Sequence, residues 1–307
     1  MHKDSYIYIA GHNGLVGSAI LRELTRRGYK NIITANKCDL NLIDSNKVSK
    51  FFSDNKIEYV FDAAARVGGI KANDTYSGEF IFQNTMIQSN LIHNSYLNNV
   101  KKLLFLGSVC IYPKFAPTPV EEKSLLCGEL EPTNEAYAIA KIHGIKMLKA
   151  YNKQYGFKGV SLMPCNLYGP NDNYHPENSH VIPALIRKFH EAKNGPVICW
   201  GDGTPMREFM YVDDLANAAI FSMGKYENAE LINVGSGEDV SIKNLAEMIS
   251  ELTGYQGDIL WDKSKPNGTP KRPLDYSKIT LLGWEPKYKL KIGLKKTIEY
   301  FNKEVIK

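Results

Sequence analysis

Tyr137 and Lys141 form the pair in this sequence whose types and spacing most directly suggest chemistry. A separation of four residues places both side chains on one face of a helix, about one turn apart. An ammonium held beside a phenol favours the phenolate, so the pair predicts a tyrosine whose pKa lies below its ordinary value of about 10. Such a phenol can serve as an acid or a base near neutral pH. Because Tyr-x-x-x-Lys also occurs on solvated helices, the spacing needs a second signal.

A glycine-rich segment near the amino terminus supplies that second signal. The apolar run 6–10 predicts a buried strand, and it leads through three glycines into a helix-forming segment, 15–27. In such a unit the glycines allow a tight turn, close approach of the backbone to a pyrophosphate, and close packing of helix on strand, while the helix start offers free N–H groups. An ordinary βα turn is the alternative, and the tyrosine–lysine pair favours the dinucleotide. The residues expected at the dinucleotide are Gly11, Asn13, Gly14, Leu15, Val16 and Gly17.

The end of the second predicted strand bears on which dinucleotide binds. Units selective for NAD place an acid about 20 residues past the glycines to hold the ribose diol. Here that position has no carboxylate, and Lys37 could meet the 2′-phosphate of NADP; a solvated lysine without a role is an equal alternative. Asp39 and Leu40, just beyond, are expected at the adenine edge. The sequence therefore favours NADP(H).

Ser108 follows the predicted strand 103–106. Ligands of a doubly wound sheet sit at the carboxyl ends of its strands, so Ser108 would reach a substrate carbonyl alongside Tyr137. Serine, tyrosine and lysine together suit hydride transfer: a nicotinamide reduces a keto carbon, Tyr137 protonates the oxygen, and Lys141 holds the nicotinamide ribose. By itself Ser108 could equally be a structural turn residue.

The elements that must position these residues alternate through the first half of the chain. The predicted strands are 6–10, 31–35, 59–64 and 103–106, and the predicted helices are 15–27, 43–54, 83–98 and 134–155. This alternation predicts an α/β fold with a doubly wound parallel sheet of Rossmann type. After 161–164 the pattern becomes irregular, with loop-rich stretches at 169–180, 200–208 and 263–275. We expect an NADP-binding domain at 1–165 and a smaller, partly interleaved substrate lobe at 166–307.

Composition narrows the class of protein further. The 307 residues carry a mild net charge of +5 with no dense basic block, which argues against a nucleic-acid partner. Five scattered cysteines lack metal-ligand spacing and predict reduced thiols in a cytoplasmic compartment. The polar start is unlike a signal peptide, and no apolar run reaches membrane-spanning length. We expect a cytoplasmic protein with a small-molecule substrate, no metal and no membrane partner.

The whole chain resembles the nucleotide-sugar branch of the extended short-chain dehydrogenase/reductase superfamily. Within that branch it is similar to the GDP-L-fucose synthase family, the GDP-4-keto-6-deoxymannose 3,5-epimerase/4-reductases. The similarity runs almost end to end, and several of its segments are specific to the family. The segments that carry it are 10–12, 63–70, 104–108, 130–135, 166–170, 175–176, 178–185 and 203–209.

The resemblance implies epimerisation in addition to reduction. It assigns Cys110 and His180 as the epimerase pair. A C4 ketone acidifies the protons on C3 and C5, so a thiolate can remove one while an imidazole returns one from the other face. Ser108 and Tyr137 would stabilise the enolate oxygen. Without the resemblance, both residues would be taken as structural.

The resemblance also implies which residues surround NADP(H) and a GDP-4-keto-6-deoxy sugar. Arg207 would bind the diphosphate, and the segment 265–272 would contact guanine and ribose; Arg187 and Lys271 could equally lie on solvated faces. Helices 83–98 and 134–155 would pair with their copies in a homodimer, although packing on the sheet also explains their apolar faces. The further cofactor residues are Ala64, Ala65, Lys141 and Asn166, and the substrate residues are Arg187, Trp200, Arg207, Asn267 and Lys271.

Three departures from the family pattern leave alternatives open. Val109 replaces a small hydroxyl residue, Cys165 precedes Asn166 where a threonine is usual, and Asn13 replaces an arginine in the glycine loop. One alternative is a 4-reductase without epimerisation, acting on a related GDP-4-keto-6-deoxy sugar such as a heptose. Another is a 4-epimerase that retains NAD, which the missing acid after the second strand disfavours. A non-catalytic dinucleotide sensor is a third.

Overall fold

Short runs of buried apolar residues form the strands of the central sheet. The computed structural model describes residues 1–176, 179–192, 195–227, 229–265 and 273–306. The strands of the chain are β1 (Tyr6–Ala10), β2 (Asn31–Ile33), β3 (Tyr59–Asp62), β4 (Lys102–Leu106), β5 (Gly159–Pro164), β6 (Asn166–Tyr168), β7 (Val197–Trp200), β8 (Met206–Tyr211), β9 (Leu231–Val234), β10 (Asp239–Ser241) and β11 (Ile259–Asp262). β4 and β5 are buried along their whole length, as expected for central strands covered on both faces.

The main sheet is parallel throughout, in the order β2-β1-β3-β4-β5-β9. After β2 the chain crosses β1 to reach β3, so the order reverses there and opens a crevice at the carboxyl ends of the strands. The register aligns Ala10 with Asp62, and Asp62 with Phe105. The ends of β1, β3 and β4 therefore meet at one edge, which confirms the predicted doubly wound α/β sheet.

Helices cover both faces of this sheet. The helices are α1 (Leu15–Arg26), α2 (Ser45–Asp54), α3 (Ile70–Thr75), α4 (Ser77–Leu97), α5 (Glu135–Tyr155), α6 (Val181–Ala192), α7 (Val212–Lys225), α8 (Ile242–Thr253), α9 (Ser277–Leu281) and α10 (Leu290–Tyr300). α4 packs on α2 and α5, and α1 packs on α7. α5 ends at Gly156, whose φ of +68° suits a left-handed cap. In the described residues, no helix is long and apolar enough to cross a membrane.

The second lobe has its own small sheets and core. One sheet has the order β10-β8-β6 and the other pairs β11 with β7. Around them α6, α8 and α10 bury a separate apolar cluster that includes Phe189, Tyr211 and Leu245. The two lobes are interleaved, because α7 packs on the main sheet and β9 completes it. The domain boundary between residues 165 and 166 remains a prediction. The return of α7 and β9 to the main sheet is the interleaving expected for the second lobe.

Element boundaries differ from the sequence expectation in a few places. The helix expected at 83–98 begins earlier, at Ser77, and the strand expected at 31–35 ends at Ile33. The stretch expected to be loop at 200–208 is interrupted, because β8 starts at Met206 and pairs with β10. Strand pairing with a segment thirty residues later is a tertiary effect that local pattern does not reveal.

Candidate active site

The loop between β1 and α1 has a geometry that only glycine satisfies at two positions. Gly11 has a φ of +79°, and a Cβ there would lie 2.7 Å from the carbonyl oxygen of Ala63. A Cβ on Gly17 would lie 2.1 Å from the carbonyl oxygen of Gly11. At Gly14, by contrast, the nearest atom to a Cβ is 3.5 Å away. Gly11 and Gly17 therefore serve packing, whereas Gly14 leaves room for a ligand.

The start of α1 suits a phosphate group. The helix begins at Leu15 with no side-chain cap on Gly14, so the N–H groups of the first turn, including that of Val16, keep their donors for a ligand. The N–H of Gly14 itself donates to the carbonyl of Gly11 at 3.0 Å. The cradle and its donors fit the pyrophosphate of a dinucleotide.

The adenosine end of this groove is organised by an amide that the sequence analysis did not identify. Asn36 accepts a hydrogen bond from Asn13 Nδ2 at 2.9 Å and donates to Asp39 Oδ2 at 3.4 Å. Asn36 thus ties the glycine loop to the end of β2. Lys37 and Asp39 are exposed beside it, whereas the side chain of Leu40 is buried in the core.

Four predicted catalytic residues come together at the carboxyl end of β4. Ser108 follows β4, Cys110 lies in the short 3-10 helix Val109–Ile111, and Tyr137 and Lys141 lie on α5. The Ser108 side chain hydrogen-bonds Tyr137, which lowers the tyrosine pKa, and a Cys110 thiolate would raise that pKa by charge repulsion. The hydroxyl, thiol and phenol therefore face one another in a single site.

The expected lowering of the Tyr137 pKa is wrong for this protein. Burial raises the pKa of Tyr137 well above its ordinary value, the charge of Cys110 adds to the rise, and the Ser108 hydrogen bond opposes it. The Lys141 ammonium lies 5.8 Å from the centre of the tyrosine ring and donates instead to the carbonyl of Leu106, at 2.8 Å. In this arrangement Tyr137 is a neutral phenol at pH 7, which suits a proton donor.

One wall of the site comes from aromatic and basic residues that the sequence analysis did not assign. Phe80 on α4 packs edge-on against Tyr137, with ring centres 6.2 Å apart. The Arg66 guanidinium lies over Phe80, 5.3 Å from its centre, and pairs with Glu79. Asn84 holds the backbone of Arg66 through both its N–H and its carbonyl. Arg66 lies in the segment 63–70, which carries the family resemblance, and that membership was the signal that could have identified it.

The loop after β3 places Ala64 and Ala65 beside the crevice. Both residues are partly buried and follow Asp62, the last residue of the strand. The N–H of Ala64 donates to Asp62 Oδ1 at 3.2 Å. Asp62 is almost fully buried, and burial raises its pKa to about 6. A carboxylate ending an apolar run was the signal that could have identified it.

His180 lies in the second lobe, immediately before α6, where its carbonyl accepts from the N–H of Ala184 at 3.0 Å. Its side chain is exposed, yet the surrounding protein desolvates the ring enough to lower its pKa. A neutral imidazole can accept or, once protonated, return a proton near neutral pH. Arg187, two turns along α6, pairs with Glu191 at 2.6 Å and donates to the carbonyl of Tyr174 at 2.9 Å.

Asn166 and Arg207 lie on the neighbouring strands β6 and β8. Asn166 is exposed and donates from Nδ2 to the carbonyl of Glu208 at 2.9 Å. Arg207 is half-buried and donates to the carbonyl of Met206 at 2.8 Å, and burial lowers its pKa. The adjacent Glu208 carboxylate is buried and accepts from the N–H groups of Ser236 and Gly237.

Trp200 lies apart from the reacting groups, at the end of β7. Its side chain is 62% exposed, and the ammonium groups of Lys188 and Lys265 lie 6.0 and 5.9 Å from its ring centre. A shallow groove of about 400 Å³ runs between this indole and α6. Two ammonium groups beside the indole favour an anionic group at this groove. Asn267 and Lys271, the other two predicted substrate residues, lie outside the described residues.

Comparison with known proteins agrees with this geometry. The model of the "NAD dependent epimerase/dehydratase family" matches residues 7–235. GDP-L-fucose synthase 1 of Arabidopsis thaliana is 54% identical over 99% of this chain and 95% of its own length. GDP-L-fucose synthase of Escherichia coli (strain K12) is 52% identical over 96% of each chain. A solved GDP-mannoheptose C4 reductase from Campylobacter jejuni, with NADP bound, has a TM-score of 0.90 at 39% identity, covering 98% of this chain and 99% of its own.

Proposed function

The chain belongs to the NAD-dependent epimerase/dehydratase family, and we propose that it converts GDP-4-keto-6-deoxymannose to GDP-L-fucose by epimerisation at C3 and C5 and reduction at C4. The observation that carries this proposal is the meeting of Ser108, Cys110, Tyr137 and Lys141 at the end of β4, beside a dinucleotide cradle. Relatives named as GDP-L-fucose synthases at 52–54% identity over nearly the whole chain support it.

NADPH, when bound, supplies the hydride for the C4 carbonyl carbon. The glycine cradle would hold its pyrophosphate on the first turn of α1, with Gly14 allowing the close approach. Lys37 would neutralise the 2′-phosphate, and Lys141 would bind the nicotinamide ribose. Asn36, an amide and not a carboxylate, is the residue after β2 that accepts the hydrogen bond from Asn13 in the glycine loop.

Tyr137 donates the proton that completes reduction. Burial keeps its phenol protonated, and Ser108 hydrogen-bonds it, so both hydroxyls can bind the C4 oxygen as negative charge develops. The Lys141 ammonium, 5.8 Å from the ring, stabilises the phenolate left behind. The net result is one hydride on C4 and one proton on its oxygen.

Cys110 and His180 would carry out the epimerisations before reduction. The ketone makes the protons on C3 and C5 acidic, and the enolate oxygen would rest on Ser108 and Tyr137. Cys110 as thiolate would remove a proton from carbon on one face, and His180, immediately before α6 in the second lobe, would return one on the other. Each inversion then breaks one C–H bond and forms another, with no net change in oxidation state.

The competing function is reduction at C4 alone, on a related sugar such as a GDP-heptose. The similarity to the Campylobacter C4 reductase favours it, as do Val109 and Cys165, which stand where hydroxyl residues are usual. The identity to the reductase is 39%, lower than the 52–54% to the fucose synthases. The bifunctional reaction is therefore the leading proposal.

The deciding experiment is turnover of GDP-4-keto-6-deoxymannose with NADPH in heavy water. We expect reduced product that carries deuterium at both C3 and C5. Cys110→Ser should abolish exchange at these carbons while the variant still reduces a substrate that is already epimerised. Reduced product without deuterium in the unmodified protein would replace the proposal by the C4 reductase. No reduction at all would refute the leading proposal and move the assignment to a different keto sugar.

We also infer a cytoplasmic homodimer. All five cysteines are free, as expected in a reducing compartment. Phe82 and Leu97 on α4 and Ile139 on α5 expose 59%, 56% and 41% of their surface, which suits a four-helix contact between two copies. Light scattering should give twice the 34.6 kDa of one chain.

A further inference from the structure

Asp62 is a buried carboxylate with one oxygen unused. The residue is 1% exposed, and Oδ1 accepts from the N–H of Ala64 at 3.2 Å. Oδ2 is buried and has no hydrogen-bond partner in the described part of the chain. Buried carboxylates are rarely left half-satisfied, because desolvating a charge is costly unless another charge or donor lies close. The position of Asp62 at the carboxyl end of β3 therefore needs an explanation.

The basic group whose charge acts on Asp62 is the ammonium of Lys141. Asp62 and Phe105 are register partners on β3 and β4, so their side chains lie on the same face of the sheet. The Lys141 Nζ atom lies 4.8 Å from the centre of the Phe105 ring and donates to the carbonyl of Leu106. An ammonium has three donors, so others remain for the side where Asp62 lies. Both charges are thus buried in one layer beneath α5.

We propose that Asp62 is the counter-ion of Lys141, a positioning residue that keeps the catalytic ammonium protonated in its buried site. This inference rests on the proposed function for its catalytic consequence, since Lys141 assists Tyr137 only as a cation. The second function of the carboxylate is geometric: Oδ1 holds the start of the loop that carries Ala64 and Ala65 along the crevice. One side chain therefore couples the cofactor loop to the charge of the catalytic lysine.

The mutual electrostatic effects agree with this pairing. Burial lowers the pKa of Lys141, and the charges of Asp62 and then of Cys110 raise it again. Burial raises the pKa of Asp62 to about 6, and Lys141 opposes that rise. The other titratable groups that face this pair are Tyr8 on β1, whose pKa Asp62 raises, and Tyr137 on α5. At pH 7 Asp62 is therefore ionised, and below about pH 6 it takes up a proton and Lys141 loses its counter-ion.

The test is a direct titration of Lys141 in the free protein by NMR of ¹³Cε-labelled lysine, with the resonance assigned by its loss in Lys141→Arg. In Asp62→Asn, which keeps an oxygen for the Ala64 N–H, the pKa of Lys141 should fall by about one to three units, as expected for loss of a close opposite charge. Asp214→Asn is the matched control, because Asp214 is also buried but accepts from the backbone of Lys287 and Tyr288. That variant should leave Lys141 unchanged.

The catalytic consequence is read from the pH profile of reduction. The basic limb of kcat in Asp62→Asn should move to lower pH by the same interval as the Lys141 titration, about tenfold in rate per unit. An unchanged Lys141 pKa in folded Asp62→Asn would overturn the proposal.

The wild-type protein gives an independent check that does not depend on how the variants fold. Its Lys141 signal should show an additional inflection near pH 6, where Asp62 titrates. Absence of that inflection would also overturn the pairing. Because both titrations are recorded without substrate, a protein that shows the pairing but reduces no keto sugar would refute only the proposed function.

Discussion

Gly14 and Gly17 allow the cofactor cradle to be tested separately from the fold. The two glycines lie three residues apart, where the loop leads into α1. The perturbation is the same in each case, addition of one methyl group as Gly14→Ala or Gly17→Ala. The structure predicts opposite outcomes, because the space around the two positions differs.

At Gly17 the added methyl would lie 2.1 Å from the carbonyl oxygen of Gly11, where ordinary contact begins at 3.4 Å. Backbone atoms would have to separate by more than 1 Å, and overpacking of this kind costs about 1–3 kcal/mol or more. Alanine gains about 1 kcal/mol over glycine inside a helix, which offsets part of the cost. We therefore expect Gly17→Ala to lower the free energy of unfolding by about 2 kcal/mol and to weaken NADPH binding with it.

At Gly14 the backbone has φ −81° and ψ 174°, which alanine adopts readily, and the nearest atom to the methyl is 3.5 Å away. Alanine lowers the entropy of the unfolded chain, which stabilises the protein, but it is a poorer helix cap than glycine, which destabilises it. Each effect is worth a few tenths to about 1 kcal/mol. Stability without cofactor should then change by less than about 0.5 kcal/mol. The methyl would, however, occupy the side from which the pyrophosphate approaches, so NADPH affinity should fall at least about tenfold.

The assay is urea unfolding of each variant without cofactor, together with titration of NADPH by its fluorescence. Separation of the two effects is the diagnostic result: Gly17→Ala loses stability, and Gly14→Ala loses affinity alone. Wild-type NADPH affinity in Gly14→Ala would refute the placement of the pyrophosphate at the start of α1. Wild-type stability in Gly17→Ala would refute the close packing of α1 on the loop.

Two further predictions concern the proton donor and a buried lysine. Tyr137→Phe keeps the ring packed on Phe80 but removes the proton donor. We expect kcat for reduction to fall by about 10²–10⁴-fold while NADPH binding is retained. A fall of less than about tenfold in steady-state turnover would contradict the role of Tyr137. Lys102 donates to the carbonyls of Ser222, Met223 and Tyr226 at the end of α7, and burial lowers its pKa from 10.5 to about 8. The unfolded chain keeps the Lys102 proton up to pH 10.5, so the stability of the wild-type protein relative to Lys102→Met should rise between pH 8 and 10.5. Urea unfolding should show a rise of up to about 3 kcal/mol over that interval. A stability difference that does not change with pH would refute the lowered pKa of Lys102.

The candidate catalytic residues could be proposed from sequence because each belongs to a local pattern. Tyr137 and Lys141 are one helical turn apart, and Ser108 ends an apolar run that must be a strand. The parallel direction of the strands follows from the alternation of strands and helices, so the meeting of these residues at the carboxyl edge could be anticipated. The family resemblance added Cys110 and His180, for which the residues alone were insufficient.

The substrate lobe was less accessible to sequence reasoning. The return of α7 and β9 to the main sheet and the pairing of β8 with β10 join segments that are distant in the chain. Hydrophobic periodicity reports only which face of an element is buried, and it is silent about which element covers that face. The contacts of Arg66 with Phe80 and of Asn36 with Asn13 could not be predicted from the sequence for the same reason.

The sequence by itself determined which groups can react, whereas the tertiary structure decided their protonation. The spacing of Tyr137 and Lys141 indicated a lowered tyrosine pKa, yet the folded site raises it, because burial disfavours the phenolate and the Leu106 carbonyl holds the ammonium 5.8 Å from the ring. Asp62 acts on the same lysine from a strand 79 positions earlier. A pKa depends on desolvation and on charges gathered from the whole fold, and neither quantity is a property of residues adjacent in sequence.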